Sequence, residues 1–458
     1  MNKETRKILL TCGIIFLVVI ICLGIVVAAG VGIFMITEKR STTPTPTIGL
    51  PTPMPTLSSD SAIDPAIASQ MDLIQSQVIA IRGLDPTGSI SRTLLSPDAL
   101  RENVINDFLA DYTPEDATRD AEVLAVLGLL PEGFDLIDFY LELYSEQIAG
   151  YYDDEVQSMY VVQGEAFKGS ERSTYAHEYV HVLQDQVFDF DQGLNYNDDS
   201  CEADSERCAG IQSLIEGDAT LTELNWFQQF ASDQDLQDIL DFYDNYESPV
   251  FDSAPDYMQQ DFMFPYEKGQ AFVQKLYDDG GYAAVDAAYT NVPVSTEQIL
   301  HPEKYPDDKP VPVDLPDLST ILGEGWVEVE RNVMGEWYTY LILAHGYDAN
   351  FRIDGEEAEK AAAGWGGDTY LVYRNENTDE IVFVMVNQFD TTHDLDEYVS
   401  SFINYGELRW GDPLEKSQGE RTWQGNNLFS RFLDDGKSTT WIIAPSLELI
   451  QMVQLALP

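Results

Sequence analysis

Histidine, cysteine and positive charge are all scarce in this chain. Of 458 residues, five are histidine and four cysteine, and 25 lysines and arginines face 79 aspartates and glutamates. Five of the bases and two of the acids fall within the first forty residues, leaving 20 against 77 and a net charge of −57 on the rest. A field of that sign repels nucleic acid phosphates and anionic lipid headgroups, so neither is expected as a partner of the body of the protein. Bound cations, or a salty or acidic medium, relieve the repulsion; solubility at a cell surface is the simplest account of it. A hydrophobic content of 44% is enough for ordinary cores, and the length suggests two or three domains.

Long apolar runs are missing too, with one exception. Ile8 to Ile36 is 29 residues without a charge, flanked by Lys3, Arg6 and Lys7 on one side and Glu38, Lys39 and Arg40 on the other. About 20 apolar residues cross a bilayer, whereas a cleavable signal peptide has an apolar part of about 7 to 15. Residues 1–40 are therefore expected to form a cytoplasmic tail and an N-terminal transmembrane helix, with the body outside the plasma membrane. Residues 41–61 carry five prolines at short spacing and no hydrophobic period, which predicts an extended stalk. Cys201 and Cys208 are the only cysteines beyond the span, and such a pair suits a disulfide in an oxidising compartment. Seven residues of continuous helix separate two Cα atoms by about 10.5 Å, so a bonded pair requires the segment to be looped.

From about Ala62 amphipathic helical patterns dominate, among them DPAIASQMDLIQSQ, SPDALRENVINDF after a serine cap, and TPEDATRDAEVLAVL. AGYYDDEVQSMYVV predicts a small β-hairpin turning at Asp153 to Glu155. It is followed at once by YAHEYVHVLQDQ, a helix capped at Ser170 or Ser173 with Tyr175, Tyr179, Val182 and Leu183 on its buried face. A further helix from about Ala209 buries Ile211, Leu214 and Ile215, and another is broken at Gly280-Gly281. After Gly323 the texture changes to mixed strand and helix. The expectation is an α+β protein: a mostly helical domain over 62–322 and a mixed α/β domain over 323–458.

In HEYVH, His177 to His181, helical spacing puts two imidazoles one turn apart on the same side, where they can grip one cation. With histidine so rare, this spacing arises by chance on the order of once in two hundred such chains. Glu178 projects about 100° round the helix and reaches a metal-held water rather than the metal. Zinc lowers the pKa of that water and polarises a carbonyl, and the carboxylate carries the proton to the leaving nitrogen. Catalytic zinc usually takes three protein ligands. The spacing HExxHxxGxxH is not met, because Gln184 and Val187 stand where its glycine and third histidine would fall. The candidate third ligand is Glu216 in LIEGDAT, beside Gly217, whose missing side chain lets two helices approach closely. Asp204, Glu206 and Asp218 are its rivals.

These residues resemble the gluzincin branch of zinc metallopeptidases, most closely over Tyr175 to Thr220. The longer run from AGYYDDEVQSMYVV to TEQILHPEKY is similar to bacterial membrane-anchored surface proteins of that type. The resemblance implies a zincin-like domain with His177, His181 and Glu216 as ligands, Glu178 as base, and the hairpin as the edge that aligns an extended peptide or protein substrate. The acidic residue that thermolysin-like members carry four positions after the ligand glutamate is Thr220 here, leaving Asp218 as the candidate partner behind the ligands.

Hydrolysis also needs a donor to a developing oxyanion; His301 in ILHPEKY is the candidate by residue type, with Tyr305 and Tyr266 behind it. His345 and His393 read as strand-end and helix-cap residues. DFDQGLNYNDD, Asp189 to Asp199, distantly resembles a Ca2+ loop without meeting the EF-hand order. The competing reading is a stalked surface binding or adhesion protein in which a metal only stabilises the helix pair. Hydrolysis of a non-peptide amide in the cell envelope is a third.

Overall fold

The computed structural model describes residues 63–109, 112–162, 166–425 and 427–457. The expected transmembrane segment and stalk lie outside these residues, and among the described ones no helix is long and apolar enough to cross a membrane. The architecture is α+β. Helix α1 (Pro65–Arg82) starts at Asp64, whose Oδ1 accepts the Ala66 N–H, and stops at Gly83 in the left-handed region, φ 78°. Next come strand β1 (Ser91–Leu95) and helices α2 (Pro97–Asn103), α3 (Pro114–Leu127) and α4 (Leu136–Gln147). The predicted hairpin is present as β2 (Gly150–Asp153) and β3 (Ser158–Val162), Tyr151 opposite Tyr160. β1 adds to it in parallel on the far side of β3, so the sheet order is β1-β3-β2 and β2 is an edge.

Helix α5 (Gly169–Phe188) carries the two histidines. It begins earlier than expected: Glu171 folds back to accept the Lys168 N–H at 3.1 Å, and neither Ser170 nor Ser173 is its cap. α6 (Asp198–Ala203) and α7 (Ser205–Phe230) are separated by a break at Asp204, φ −155° and ψ 86°. That break brings Cys201 and Cys208 to a Cα–Cα distance of 5.4 Å, and they are disulfide-bonded. The interruption is a kink between helices rather than the loop expected. α8 (Asp233–Asn245), α9 (Asp256–Gly280), α10 (Tyr282–Thr290) and α11 (Thr296–Leu300) complete the helical half. The expected break at Gly280-Gly281 is where α9 gives way to α10.

The second half is built on one antiparallel sheet of order β4-β5-β6-β10-β9-β8-β7. Its strands are β4 (Trp326–Asn332), β5 (Trp365–Asn375), β6 (Ile381–Phe389), β7 (Glu415–Ser417), β8 (Glu420–Gly425), β9 (Leu428–Asp434) and β10 (Ser438–Ala444). Its helices are α12 (Gly335–Ala344), α13 (Gly355–Ala362), α14 (Thr392–Trp410) and α15 (Leu447–Ala456). GEWYTYLILA is thus a helix, and His345 caps its C-terminus instead of ending a strand.

Alternation along the strands sends the two faces of the sheet into different cores. Tyr370, Val372, Phe383, Met385, Trp441 and Ile443 join a large cluster that also contains Leu124, Tyr257, Phe264 and Trp337. Leu371, Val382, Val384 and Ile442 face the other way, onto Leu318, Ile450 and Val453. The large cluster crosses residue 323 without interruption, so the two halves share one apolar interior.

Carboxylates are buried along this interior. Burial first, then the nearby Asp120, push the pKa of Glu330 on β4 up to about 8 against the pull of its hydrogen bond from Tyr370 Oη. An acid whose folded pKa lies above its unfolded value binds more protons in the folded state, so its contribution to stability is lost as pH rises from about 4.5 to about 8. Glu297, raised to about 8, and Asp368, raised to about 6, act in the same sense, burial being the first cause in both. The melting temperature should therefore fall between pH 5 and pH 8.5. Glu330→Gln should remove on the order of 3 kcal/mol of the accompanying loss of unfolding free energy; calorimetry at the two pH values checks it, and an unchanged slope would contradict the assignment.

Candidate metal centre

Two helices build the centre. On α5 the i, i+4 spacing sets His177 and His181 with ring centroids 4.7 Å apart. α7 crosses α5 and presents Glu216, one of whose oxygens lies 3.2 Å from His177 Nε2 and 3.5 Å from His181 Nε2. Both histidines, Glu178 and Glu216 are buried, with at most 1% of their surface exposed.

The outward nitrogen of each histidine is tied to an acceptor. His177 Nδ1 donates to Glu223 Oε2 at 3.1 Å, and the other oxygen of Glu223 accepts from Ser173 Oγ at 2.6 Å. His181 Nδ1 donates to Gln184 Oε1 at 2.9 Å. The orientation of that amide follows from its surroundings: Gln184 Nε2 faces the Ile215 carbonyl and Asp218 Oδ2, each at 3.0 Å and each able only to accept. Asp218 also accepts from Tyr289 Oη at 2.9 Å and from Arg82 Nε at 2.8 and 3.0 Å. With Nδ1 of each imidazole held as a donor, Nε2 of each is turned toward the same Glu216 oxygen and is the nitrogen that would face a metal.

The separations test whether a cation fits. Two ligand atoms about 2.05 Å from a tetrahedral zinc stand about 3.3 Å apart, which is the spacing from Glu216 to each Nε2. As a proton site the same cluster is strongly polarised. Burial opposes a charged His177, but the hydrogen bonds it donates to Glu216 and Glu223 outweigh it and raise its pKa to about 10. Burial likewise opposes the Glu216 carboxylate, yet His181 and then His177 pull its pKa down to about 2.

Glu178 is different. It belongs to the compact His177, Glu178, His181 group, but both of its buried oxygens lack a hydrogen bond of ordinary geometry. The Tyr152 backbone is its weakest influence. Burial first, and Glu216 and Glu223 against the pull of His177, raise its pKa to about 8. β2 covers it: a Cβ on Gly150 would stand 3.4 Å from Glu178 Cγ and 2.9 Å from Thr174 Cγ2.

The close approach expected at Gly217 exists, but its partner is α9 rather than α5. A Cβ there would lie 2.2 Å from the Gly269 carbonyl oxygen, and one on Gly269 would lie 2.2 Å from that of Ser213. Of the rival acids, Asp218 stands behind the centre through Gln184. Glu206 is committed to Thr296, whose N–H and Oγ1 lie 2.6 and 2.5 Å from its Oε1, and Asp204 caps α7. His301 is held by Glu336 at 2.8 Å, and Tyr305 Oη donates to the Asn291 carbonyl. Of the three oxyanion candidates, Tyr266 on α9 is the one with its ring near the pair, 6.5 Å from that of His177. In the suggested Ca2+ loop, Asp189 accepts the Gln192 N–H, Asp191 the Asn197 amide, and Asn197 caps α6. Among the described residues that loop does not gather three acidic ligands.

A family model described only as a domain of unknown function (DUF8575) matches residues 323–454. No curated protein and no solved structure matches the chain. The matched stretch begins where the sequence texture changes and leaves the histidine pair outside it.

Glu223 and Gln184 were not singled out in the sequence. The available signal was spacing: Glu223 lies two helical turns beyond Glu216 on the same face, and Gln184 one turn beyond His181. Gly217→Ala should force α7 and α9 apart and cost at least about 2 kcal/mol, read as a drop in melting temperature. An unchanged melting temperature would mean that the two backbones do not meet.

Proposed function

We propose that this chain is a zinc-dependent peptidase, tethered by its apolar N-terminal segment, whose body hydrolyses peptides or proteins outside the membrane. The observation that carries the reading is the pairing of Glu216, at tetrahedral spacing from both imidazoles, with an adjacent buried carboxylate that no hydrogen bond of ordinary geometry holds. A purely structural metal site has no use for Glu178, and burying such a group without a well-formed hydrogen bond is costly.

His177, His181 and Glu216 would hold the ion, with Glu223 and Gln184 fixing the imidazoles. When bound, zinc supplies an acidified water and a Lewis acid for the carbonyl oxygen. Glu178 takes the proton and returns it to the leaving nitrogen, a role suited to a carboxyl whose pKa burial has raised toward neutrality. Tyr266 is the candidate donor to the oxyanion. The disulfide agrees with an oxidising compartment.

The enclosure of the centre favours a second reading. Closed zinc sites are typically structural, and a stalked surface protein with a metal-braced helix pair would have one. On the peptidase reading, β2 and its neighbours must part from α5 before a peptide can enter.

Two variants of the full-length protein separate the readings. Glu178→Gln should keep one zinc per chain and lose at least about 100-fold of peptide hydrolysis; undiminished hydrolysis would remove Glu178 from the chemistry. Glu216→Ala should lower zinc affinity by more than the 10- to 100-fold typical of an outer partner such as Glu223. Full retention of affinity in a chelator competition would place the third ligand elsewhere.

A further inference from the structure

A cavity of about 550 Å3 lies against the N-terminal turns of α5. We infer that it receives a lysine or arginine side chain from a peptide added along the edge of β2 that, among the described residues, has no strand beside it. The inference rests on the peptidase reading and names its substrate class.

The first support is continuity with the metal centre. Ile148 and Ala149 line the cavity, and the next residue is Gly150, which packs against Thr174 and Glu178. Thr174 itself lines the cavity one turn before Glu178. A strand advances about 3.3 Å per residue, so the cavity opens one or two residues from the strand position that touches the base. Among the described residues β2 has a strand partner on one side only. An added strand on the other side would direct alternate side chains toward one face.

The second support is the character of the walls. Leu100, Ile148 and Phe242 offer an apolar surface suited to a methylene stem. Glu146, Glu171, Asp238 and Asp241 supply four carboxylates against one lining cation, Lys168. The hydrogen bonds these acids accept come mainly from neutral donors: the N–H groups of Val250 and Phe251 to Glu146, of Lys168 to Glu171 and of Gly169 to Asp238, and the Gln237 amide to Asp241. Arg172 lies 3.7 Å from Asp238 but is engaged by Asp235 at 2.6 Å and does not line the cavity. A cationic head is therefore attracted and a carboxylate repelled.

The test uses the full-length protein and peptides that differ only in carrying lysine, norleucine or glutamate at each position within three of the scissile bond. At one position lysine should exceed norleucine by about tenfold in kcat/KM, with glutamate below both. Asp238→Asn with Asp241→Asn should bring the lysine-to-norleucine ratio of kcat/KM most of the way to one. Equal rates for lysine and norleucine, or a preference indifferent to the double variant, would overturn the inference. If no peptide is cleaved, the peptidase reading fails. The cavity is then judged by direct binding of the same peptides, where absence of a lysine preference overturns the inference as well.

Discussion

Two helices that touch backbone to backbone leave almost no freedom in how they sit. At Gly217 and Gly269 the chains of α7 and α9 come within the space a single methyl group would occupy, and each glycine faces a carbonyl oxygen of the other helix. Sliding either helix by one residue would drive a side chain into that oxygen. The constraint fixes the helix from which Glu216, Asp218 and Glu223 project, and with them the point at which the two imidazoles aim. The disulfide at the start of α7 and the break at Asp204 hold the other end of the same helix.

Charge in so acidic a chain is managed by sorting rather than by pairing everywhere. Asp218 is buried with Arg82, Gln184 and Tyr289 around it, so its charge is matched and passed on as hydrogen-bond order to His181. Burial would lower the pKa of Arg82, but Asp218, Tyr289 and Asp286 more than reverse this and hold it raised. Glu178 has no such company. An enclosed carboxyl beside two imidazoles and two further carboxylates, without a hydrogen bond of ordinary geometry, stands apart from the matched charges around it.

How much was legible in the sequence follows from the range of each signal. HEYVH depends on spacing within one helix turn, which survives any tertiary arrangement; Glu216 stood out because a glycine beside it made sense only if two backbones met. The hairpin carried its own turn. β1 did not, since SRTLL has no alternation and gains strand geometry only by pairing in parallel with β3, more than sixty residues later. β7 to β9 are short and polar enough to pass for loop. GEWYTYLILA is aromatic and β-branched in places, yet burial against α9 and the large core makes it a helix. His301 had the right chemistry, but nothing local indicated that Glu336 would claim it.

The sheet of the second half sends alternate side chains into two interiors, and one of them continues into the helices of the first half. On that face Trp441 lies against Phe402 of α14, with ring centroids 5.1 Å apart, and Phe383 lies against Trp441. The matched stretch therefore carries its own cover for that part of the sheet, and what the first half adds is the continuation of the same apolar interior.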